Sequence, residues 1–361
     1  MPLLAAALAS CRKPAGAAVI GYAFPRDGQR AALVAAAQLP RDTTNGSIRI
    51  VGDWDSGGNE AMVELARAHR LVALPRVVGV VGHAGSRSTL VAAPVYVEAG
   101  VPLVVPTASS SRLREIGEWI FPMAPGDSVE AVFLGGVALD RMHARRVAIY
   151  FANDPYGAGI RHELRAYLAR RGAPPADEVP FVTGADLPTL VEASVARSHP
   201  DLAILVGRQV EVGRVAALLY DRDPSIRLLS ADGALNQVPA LIEAAGPAAD
   251  SLYLTSFWVP DTSDAPQKAF IDRYRLDSGR EPESFEAMRY DAVMVLAQAI
   301  KEAGPDRAAI RDWLWSLGDS RPAYRGVTGE ISFRAGARHR LYLVRLQDGV
   351  PVAVPDSAVL R

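Results

Sequence analysis

Small and hydroxyl-bearing residues follow two short apolar runs of this sequence and could together hold a carboxylate group. The run at 77–81 is followed by GHAGSRST (82–89), and the run at 103–105 is followed by PTASSS (106–111). Free backbone N–H groups and hydroxyls in such loops donate hydrogen bonds that suit a carboxylate. The alternative is that these residues only cap helices and form turns, which is the commoner role in any single loop.

Two later segments carry groups of the opposite character. Asp232 follows the apolar run at 228–230 and offers a negative charge that suits an ammonium group. Tyr156 lies in NDPYG (153–157), and its ring and hydroxyl could form an amphipathic wall. Carboxylate-binding loops combined with an acidic group describe a site for a zwitterion, and several such loops at strand ends favour one shared site.

Motifs for catalysis or for a cofactor are weak in this sequence. The segment GAG (157–159) lacks the third glycine of a dinucleotide fingerprint, and no phosphate-binding loop is present. The six histidines form no pair at metal-ligand spacing, and the frame around Ser86 is not a nucleophile elbow. Four residues match positions of a calcium-binding loop, namely Asp53, Asp55, Gly58 and Glu64. Gly57 occupies position five of that loop and lacks the side-chain oxygen that calcium binding requires there. We therefore predict a binding protein with no catalytic residue, no cofactor and no metal.

Short β-branched runs that alternate with amphipathic stretches predict the elements that position these loops. Eight runs are typical of buried parallel strands: 17–20, 48–51, 77–81, 103–105, 147–151, 202–206, 228–230 and 252–255. The stretches between them predict crossover helices, and the fold class is α/β with open parallel sheets. Ligands bind beyond the carboxyl ends of the strands in such sheets, which is where the loops above lie.

Helix boundaries can be predicted at three places. A stripe from Ile160 to Leu168 ends before Gly172, and a stripe from 288 to 300 ends before Gly304. Asp127 with Glu130 three residues later is typical of a capping box, which starts a helix that reaches about residue 141.

Length and charge restrict the class of protein. A chain of 361 residues suits two α/β domains. Its 39 basic and 40 acidic residues give a net charge of −1, which disfavours nucleic acid as a partner. No apolar run reaches the ~20 residues of a membrane-spanning helix.

The N-terminal segment MPLLAAALASC (1–11) ends at Cys11, the only cysteine of the chain. Small residues directly before a cysteine resemble the lipobox of bacterial lipoproteins, where the cysteine is lipidated. Arg12 and Lys13 follow the apolar run instead of preceding it, which departs from the usual signal peptide. The alternative is a chance cysteine in an Ala-rich terminus.

Four segments resemble the leucine/isoleucine/valine-binding protein family, the type I periplasmic binding proteins of amino-acid ABC transporters. They are VVGVVGHAGSRSTLVAAPVYVEAGVPLVVPTAS (77–109), VAIYFANDPYGAG (147–159), RYDAVMVLAQAIKEAG (289–304) and YRGVTGEISFRAGA (324–337). The resemblance implies two Rossmann-like lobes joined by a multi-crossover hinge. On this basis we expect a signal and tether at 1–16, lobe 1 at 17–122 plus 258–322, and lobe 2 at 123–257 plus 323–361.

The resemblance also implies roles for individual residues. Ser86 and Ser109 would hold the ligand carboxylate, and Thr107 would offer its carbonyl. Asp232 would pair with the ammonium group, and Tyr156 would close from lobe 2. The implied partners are a small amino-acid-like ligand and an ABC permease, and the implied protein is a monomer that Cys11 anchors to the cell envelope.

Two positions depart from the family pattern. The first loop is bulkier than usual, so Tyr22 or Phe24 could wall the side-chain pocket or belong to the core. Arg208 stands where many members have an aromatic residue, and it is either solvated at the cleft rim or paired with an acidic ligand side chain. A sensing receptor of the same fold and an α/β enzyme remain alternative functions.

Overall fold

A computed structural model describes residues 17–25, 29–39, 47–52, 61–333 and 340–356. The described chain forms two lobes, each with a largely parallel sheet and an apolar core on both faces of that sheet. The predicted α/β class with two Rossmann-like lobes is confirmed. None of the described helices is long and apolar enough to cross a membrane.

Lobe 1 begins with a five-stranded parallel sheet in the order β2-β1-β3-β4-β5. The strands are β1 (Ala18–Ala23), β2 (Ile48–Gly52), β3 (Val77–Gly82), β4 (Leu103–Val105) and β5 (Ile120–Pro122). Helices α1 (Gln29–Gln38), α2 (Ala61–Val72) and α3 (Ser86–Ala99) connect the first four strands. β3 and β4 are buried along their whole length, which explains their continuous apolar sequences.

Lobe 2 has a seven-stranded sheet in the order β14-β13-β10-β9-β8-β6-β7. Its parallel strands are β6 (Val147–Ala152), β7 (Asp177–Phe181), β8 (Leu202–Val206), β9 (Arg227–Ser230) and β10 (Leu252–Ser256). Its helices are α4 (Asp127–Gly136), α5 (Pro155–Arg170), α6 (Leu187–Ser198), α7 (Gln209–Arg222) and α8 (Val238–Ala245). α4 continues as a π-helical turn to Arg141, so the helix extends to the predicted end.

The chain then returns to lobe 1 and finally to lobe 2. The returning helices are α9 (Ala265–Ser278), α10 (Ser284–Ala303) and α11 (Arg307–Ser316). A hairpin of β11 (Tyr324–Gly326) and β12 (Gly329–Ile331) follows. The last strands, β13 (Tyr342–Gln347) and β14 (Val350–Ala353), extend the sheet of lobe 2 in antiparallel fashion. The described segments therefore belong, in chain order, to lobe 1, lobe 2, lobe 1 and lobe 2.

The hairpin corrects the predicted lobe boundary at residue 323. Val327, Ile331 and Phe333 are buried in the core of lobe 1, so the return to lobe 2 falls between Phe333 and Tyr342. Asp291 of α10 accepts hydrogen bonds from the backbone N–H groups of Val327 (2.9 Å) and Thr328 (2.8 Å). These bonds attach the hairpin to lobe 1.

All eight predicted runs form strands, and two helix ends also agree with the predictions. Gly172 lies two residues after the end of α5 and Gly304 lies directly after α10, and both have positive φ values (73° and 81°), which a glycine adopts at little cost where a helix ends. Gly157 in the first turn of α5 allows close packing, because a Cβ there would lie 2.1 Å from the carbonyl oxygen of Ala152. This contact places Tyr156 at the end of β6.

Candidate ligand-binding cleft

A cavity lies between the lobes, beyond the carboxyl ends of the strands that carry the predicted site loops. Lobe 1 lines it with 84–86 after β3 and with Thr107 after β4. Facing residues are Tyr156, Arg208, Asp232, Gly233, Asn236 and Phe285. Five predicted site residues therefore line one cavity: Ser86, Thr107, Tyr156, Arg208 and Asp232.

Lobe 1 presents the N-terminus of α3 to the cavity. α3 starts at Ser86, and its N-cap Gly85 has an extended backbone. Ser88 Oγ accepts a hydrogen bond from Gly85 N (3.1 Å), so this serine caps the helix, which is the alternative role considered above for the hydroxyl residues of these loops. Ser86 Oγ accepts a hydrogen bond from Ser110 N (3.3 Å) and links the two loops. The first N–H groups of a helix have no acceptor within the helix, and the helix dipole favours an anion there.

A buried ionic cluster supports this loop from behind. The carboxylate of Glu64 on α2 contacts both Arg67 and His83 Nδ1, and His83 Nε2 lies 2.9 Å from Tyr96 Oη. Burial tends to raise the pKa of Glu64, but the hydrogen bond and charge of His83, together with Arg67, hold the pKa below its ordinary value. Glu64 therefore serves the loop, and the other three residues of the calcium template lie outside the described residues.

Lobe 2 presents a buried carboxylate to the same cavity. Tyr156 Oη donates a hydrogen bond to Asp232 Oδ1 (2.7 Å) and accepts one from Gly233 N (2.9 Å). Behind them, Glu130 Oε1 accepts hydrogen bonds from Asp232 N (2.8 Å) and from Thr255 Oγ1. Tyr156 thus joins the end of β6 to the turn after β9 and holds one oxygen of Asp232 in place.

Asp127, Glu130 and Asp232, here called the acidic cluster, are buried together on lobe 2. Burial raises the pKa of Asp127 and of Asp232 to about 6. Burial and the negative charge of Asp232 raise the pKa of Glu130 well above its ordinary value. Within the part of the chain that the structure describes, no Lys, Arg or His forms an ion pair with this cluster. Buried negative charge without a cation is costly, so the cleft favours a cationic group at Asp232.

The role of Glu130 corrects the predicted capping box. The N-cap of α4 is Gly126, which has no side chain to accept a hydrogen bond, and Asp127 is the first residue of the helix. Glu130 is 0% exposed and turns toward Asp232 instead of toward the helix start. A helical spacing of three residues fits both roles, so the sequence pattern alone could not separate them.

Two predicted site residues lie elsewhere. Tyr22 is fully buried in the core of lobe 1, with its ring centroid 4.8 Å from that of Phe24, so it belongs to the core and not to the pocket wall. Ser109 is buried beside the first crossover, where its carbonyl accepts a hydrogen bond from Asp127 N (3.1 Å). Neither residue lines the cavity.

Arg208 extends from lobe 2 across the cleft. It is the N-cap residue of α7, and a Cβ placed on Gly85 of lobe 1 would lie 3.3 Å from its Nη2. The side chain is half-buried and lines the cavity, so Arg208 is more than a solvated residue at the rim.

Sequence reasoning also missed residues of the cleft that come from the returning segment. Phe285 lines the cavity, and the buried Arg289 of the same helix lies 4.9 Å over the ring of Phe24 and 3.5 Å from Asn236 Oδ1 of lobe 2. Phe285 precedes the resembling motif at 289–304 and Arg289 is the first residue of that motif, whose apolar stripe predicts a core helix and gives no signal for either side chain. Among the described residues, no group of three or more potential metal ligands is present.

The fold and the cleft together define a class, the two-lobed solute-binding proteins, in which a small molecule is enclosed between lobes joined by several crossovers. A family model described as periplasmic binding protein matches residues 21–350. The chain therefore belongs to the periplasmic binding protein family, which agrees with the predicted resemblance.

Three individual proteins show the extent of the similarity. The "Amino acid binding protein" of Pseudomonas aeruginosa is 28% identical over 311 residues, which cover 82% of each chain. A leucine binding protein of Thermotoga maritima has a TM-score of 0.85 at 21% identity, with 94% of this chain and 98% of that chain covered. The substrate binding protein of a branched-chain amino acid transporter of Streptococcus pneumoniae, in complex with isoleucine, has a TM-score of 0.80 at 24% identity and coverages of 93% and 98%.

Proposed function

We propose that this protein binds a free amino acid between its lobes and presents it to the permease of an ABC transporter. The observation that carries this proposal is the acidic cluster on one side of the cleft, opposite the N-terminus of α3 on the other. An α-amino acid carries its ammonium group and its carboxylate on the same carbon atom, so it can satisfy both sides at once.

The proposed binding mode assigns one end of the ligand to each lobe. The carboxylate lies at Ser86 and the first N–H groups of α3, with Thr107 beside it. The ammonium group lies against the carboxylate of Asp232, which Tyr156 Oη holds in place through its hydrogen bond to Oδ1. Contacts from both lobes are complete only when the cleft is closed, so ligand binding favours the closed state. The ligand leaves unchanged in this scheme.

The relatives support this ligand class and this partner. The names of the Pseudomonas and Streptococcus proteins specify amino acids, and the latter is a transporter's substrate binding protein. A periplasmic site of action and a monomeric protein are further parts of this proposal.

We further propose that Cys11 carries a lipid that holds the protein at the membrane surface. Support comes from the small residues Ala9 and Ser10 directly before Cys11, which lies outside the described residues. Cys11→Ala should release the protein into the soluble fraction of cells, while Ser10→Ala should leave it in the membrane fraction. If the unchanged protein and both variants are all found in the soluble fraction, the lipid anchor is refuted.

A thermal-shift screen of residues 17–361 tests the ligand class. The screen compares amino acids with the matching amines, which lack the carboxylate, and with the matching 2-oxo acids, which lack the ammonium group. A ligand at ~100 times its Kd adds about 2.7 kcal/mol to the free energy of unfolding, which raises Tm measurably. We expect a shift only with amino acids.

Asp232→Asn should then weaken the affinity for that amino acid by about 30-fold or more, because truncating one partner of a buried charge pair costs about 2–5 kcal/mol. Asp250→Asn, at an exposed position of the same lobe, is the matched control and should leave the affinity unchanged. A screen in which 2-oxo acids shift Tm as much as amino acids would contradict the assignment of Asp232.

A further inference from the structure

A second cavity opens beside the cleft and shares Arg208 with it. This outer cavity has a volume of ≈ 380 Å³. It is lined by 152–154 at the end of β6, 181–183 at the end of β7, Arg208, Glu211 of α7 and, from lobe 1, Arg87 of α3. Its volume falls within the range of small-molecule pockets. Arg208 lines both cavities, so a ligand side chain that extends from the cleft toward Arg208 is directed toward the outer cavity.

The charged groups of the outer cavity differ in whether they already have partners. Asp154 Oδ1 accepts hydrogen bonds from the backbone N–H groups of Tyr156 (3.1 Å) and Gly157 (2.9 Å), and Glu211 Oε1 accepts one from Thr183 Oγ1 (3.2 Å). Among the described residues, the guanidinium group of neither Arg87 nor Arg208 forms a hydrogen bond or an ion pair. The guanidinium groups of Arg87 and Arg208 are therefore hydrogen-bond donors of this cavity that still lack an acceptor among the described residues.

We propose, on the basis of the proposed function, that the ligand is an amino acid whose side chain ends in a second anionic group, which Arg208 and Arg87 bind in the outer cavity. A guanidinium group has no acceptor and presents several N–H donors in a planar fork that matches a carboxylate or a phosphate. The two arginines come from different lobes, so one anion between them joins lobe 1 to lobe 2. The zwitterion site holds the backbone end of the ligand, and the outer cavity selects its side chain.

Titration calorimetry of the purified protein at low salt tests the proposal. L-glutamate, L-aspartate and O-phospho-L-serine are compared with L-glutamine, L-asparagine and L-leucine. We expect at least one anionic amino acid to bind tenfold or more tightly than its neutral counterpart. If phosphoserine binds most tightly, the outer cavity holds a phosphate group, and if glutamate or aspartate binds most tightly, it holds a carboxylate. Either result supports the proposal.

Variants of the two arginines show whether they cause this preference. Arg208→Gln should lower the affinity for the anionic amino acid at least tenfold and the affinity for its neutral counterpart less than threefold. Arg87→Gln, at an exposed position, should lower the affinity for the anion about threefold. Arg214→Gln, an exposed position on the same helix α7, is the matched control. If Arg208→Gln lowers the Tm of the ligand-free protein, the comparison of anionic and neutral amino acids is made with Arg87→Gln only.

The outcomes separate this proposal from the proposed function. If neutral amino acids bind as tightly as anionic ones, or if Arg208→Gln and Arg87→Gln weaken both kinds equally, the anionic side chain is refuted and the zwitterion site remains. If no amino acid of either kind binds, the proposed function itself fails, and this proposal fails with it.

Discussion

Each lobe buries ionisable groups at its edge of the cleft, and the two sets differ in how they are compensated. On lobe 1, the Glu64 carboxylate is in contact with Arg67 and His83. On lobe 2, Asp127, Glu130 and Asp232 lie together with no ion-pair partner among the described residues. The first set is complete without a ligand and supports a loop. In the proposed binding mode, the ammonium group of the ligand supplies the cation that the second set lacks, so we expect this set to respond to the ligand.

The largest effect on stability is expected when the buried ion pairs of Glu64 on lobe 1 are broken. Glu64→Gln removes the carboxylate from a buried guanidinium group, which costs about 3–5 kcal/mol in comparable pairs. Urea denaturation of the ligand-free protein should show this loss, and Glu98→Gln, an exposed position on α3, should show none. A loss below ~1 kcal/mol for Glu64→Gln would mean that the two lobes do not differ as described.

A smaller effect, in this case a gain in stability, is expected when the acidic cluster of lobe 2 is protonated. Burial raises the folded-state pKa of Asp127 and Asp232 to about 6, so the folded protein binds more protons than the unfolded chain between pH 4 and 6. The free energy of unfolding should therefore rise as the pH falls through 6, by on the order of 1–3 kcal/mol. Asp291, whose pKa burial also raises to about 6, contributes in the same direction.

Asp232→Asn isolates the part of this pH dependence that belongs to the cleft. We expect the variant to be at least as stable as the wild type at pH 7.5 and to gain less stability between pH 7.5 and 5, as measured by Tm without ligand. Ligand affinity should change in the opposite sense, because an ammonium group needs ionised Asp232, and should fall about tenfold per unit below pH 6. Parallel changes in stability and affinity would contradict the assignment of the titrating group.

The smallest effect concerns the hydroxyl that bridges the two loops of lobe 2. Tyr156→Phe removes one hydrogen bond to Asp232 and leaves Gly233 N without its acceptor, which together cost about 1–3 kcal/mol. Calorimetry should show a five- to hundredfold weaker affinity for the amino acid. Tyr220→Phe on α7 is the control, and equal losses in both variants would indicate a general effect on lobe 2.

Strands and helix ends were predictable because burial on both faces of a parallel sheet produces continuous apolar runs. β7 was missed because it is an edge strand, where Asp177, Glu178 and Pro180 are tolerated and hide the pattern. The hairpin after α11 was assigned to the wrong lobe, since three-residue strands carry no information about the core they join.

The candidate site was predictable where loops follow strands, and it was not predictable where packing decides the direction of a side chain. Ser86, Thr107, Tyr156, Arg208 and Asp232 converge because the carboxyl ends of their strands share one edge. Tyr22 follows the same rule in sequence but points into the core, and Glu130 lies on a helix that strand-end reasoning does not consider.

In the proposed binding mode, the acidic cluster also determines which molecules the cleft rejects. A 2-oxo acid has the shape and carboxylate of its amino acid but no ammonium group, so its enclosure would bury one more negative charge beside Asp232 and neutralise none. Discrimination of this kind needs no steric barrier and no editing step, because the missing positive charge alone makes closure unfavourable. In a medium rich in organic acids, the cleft would stay available for amino acids.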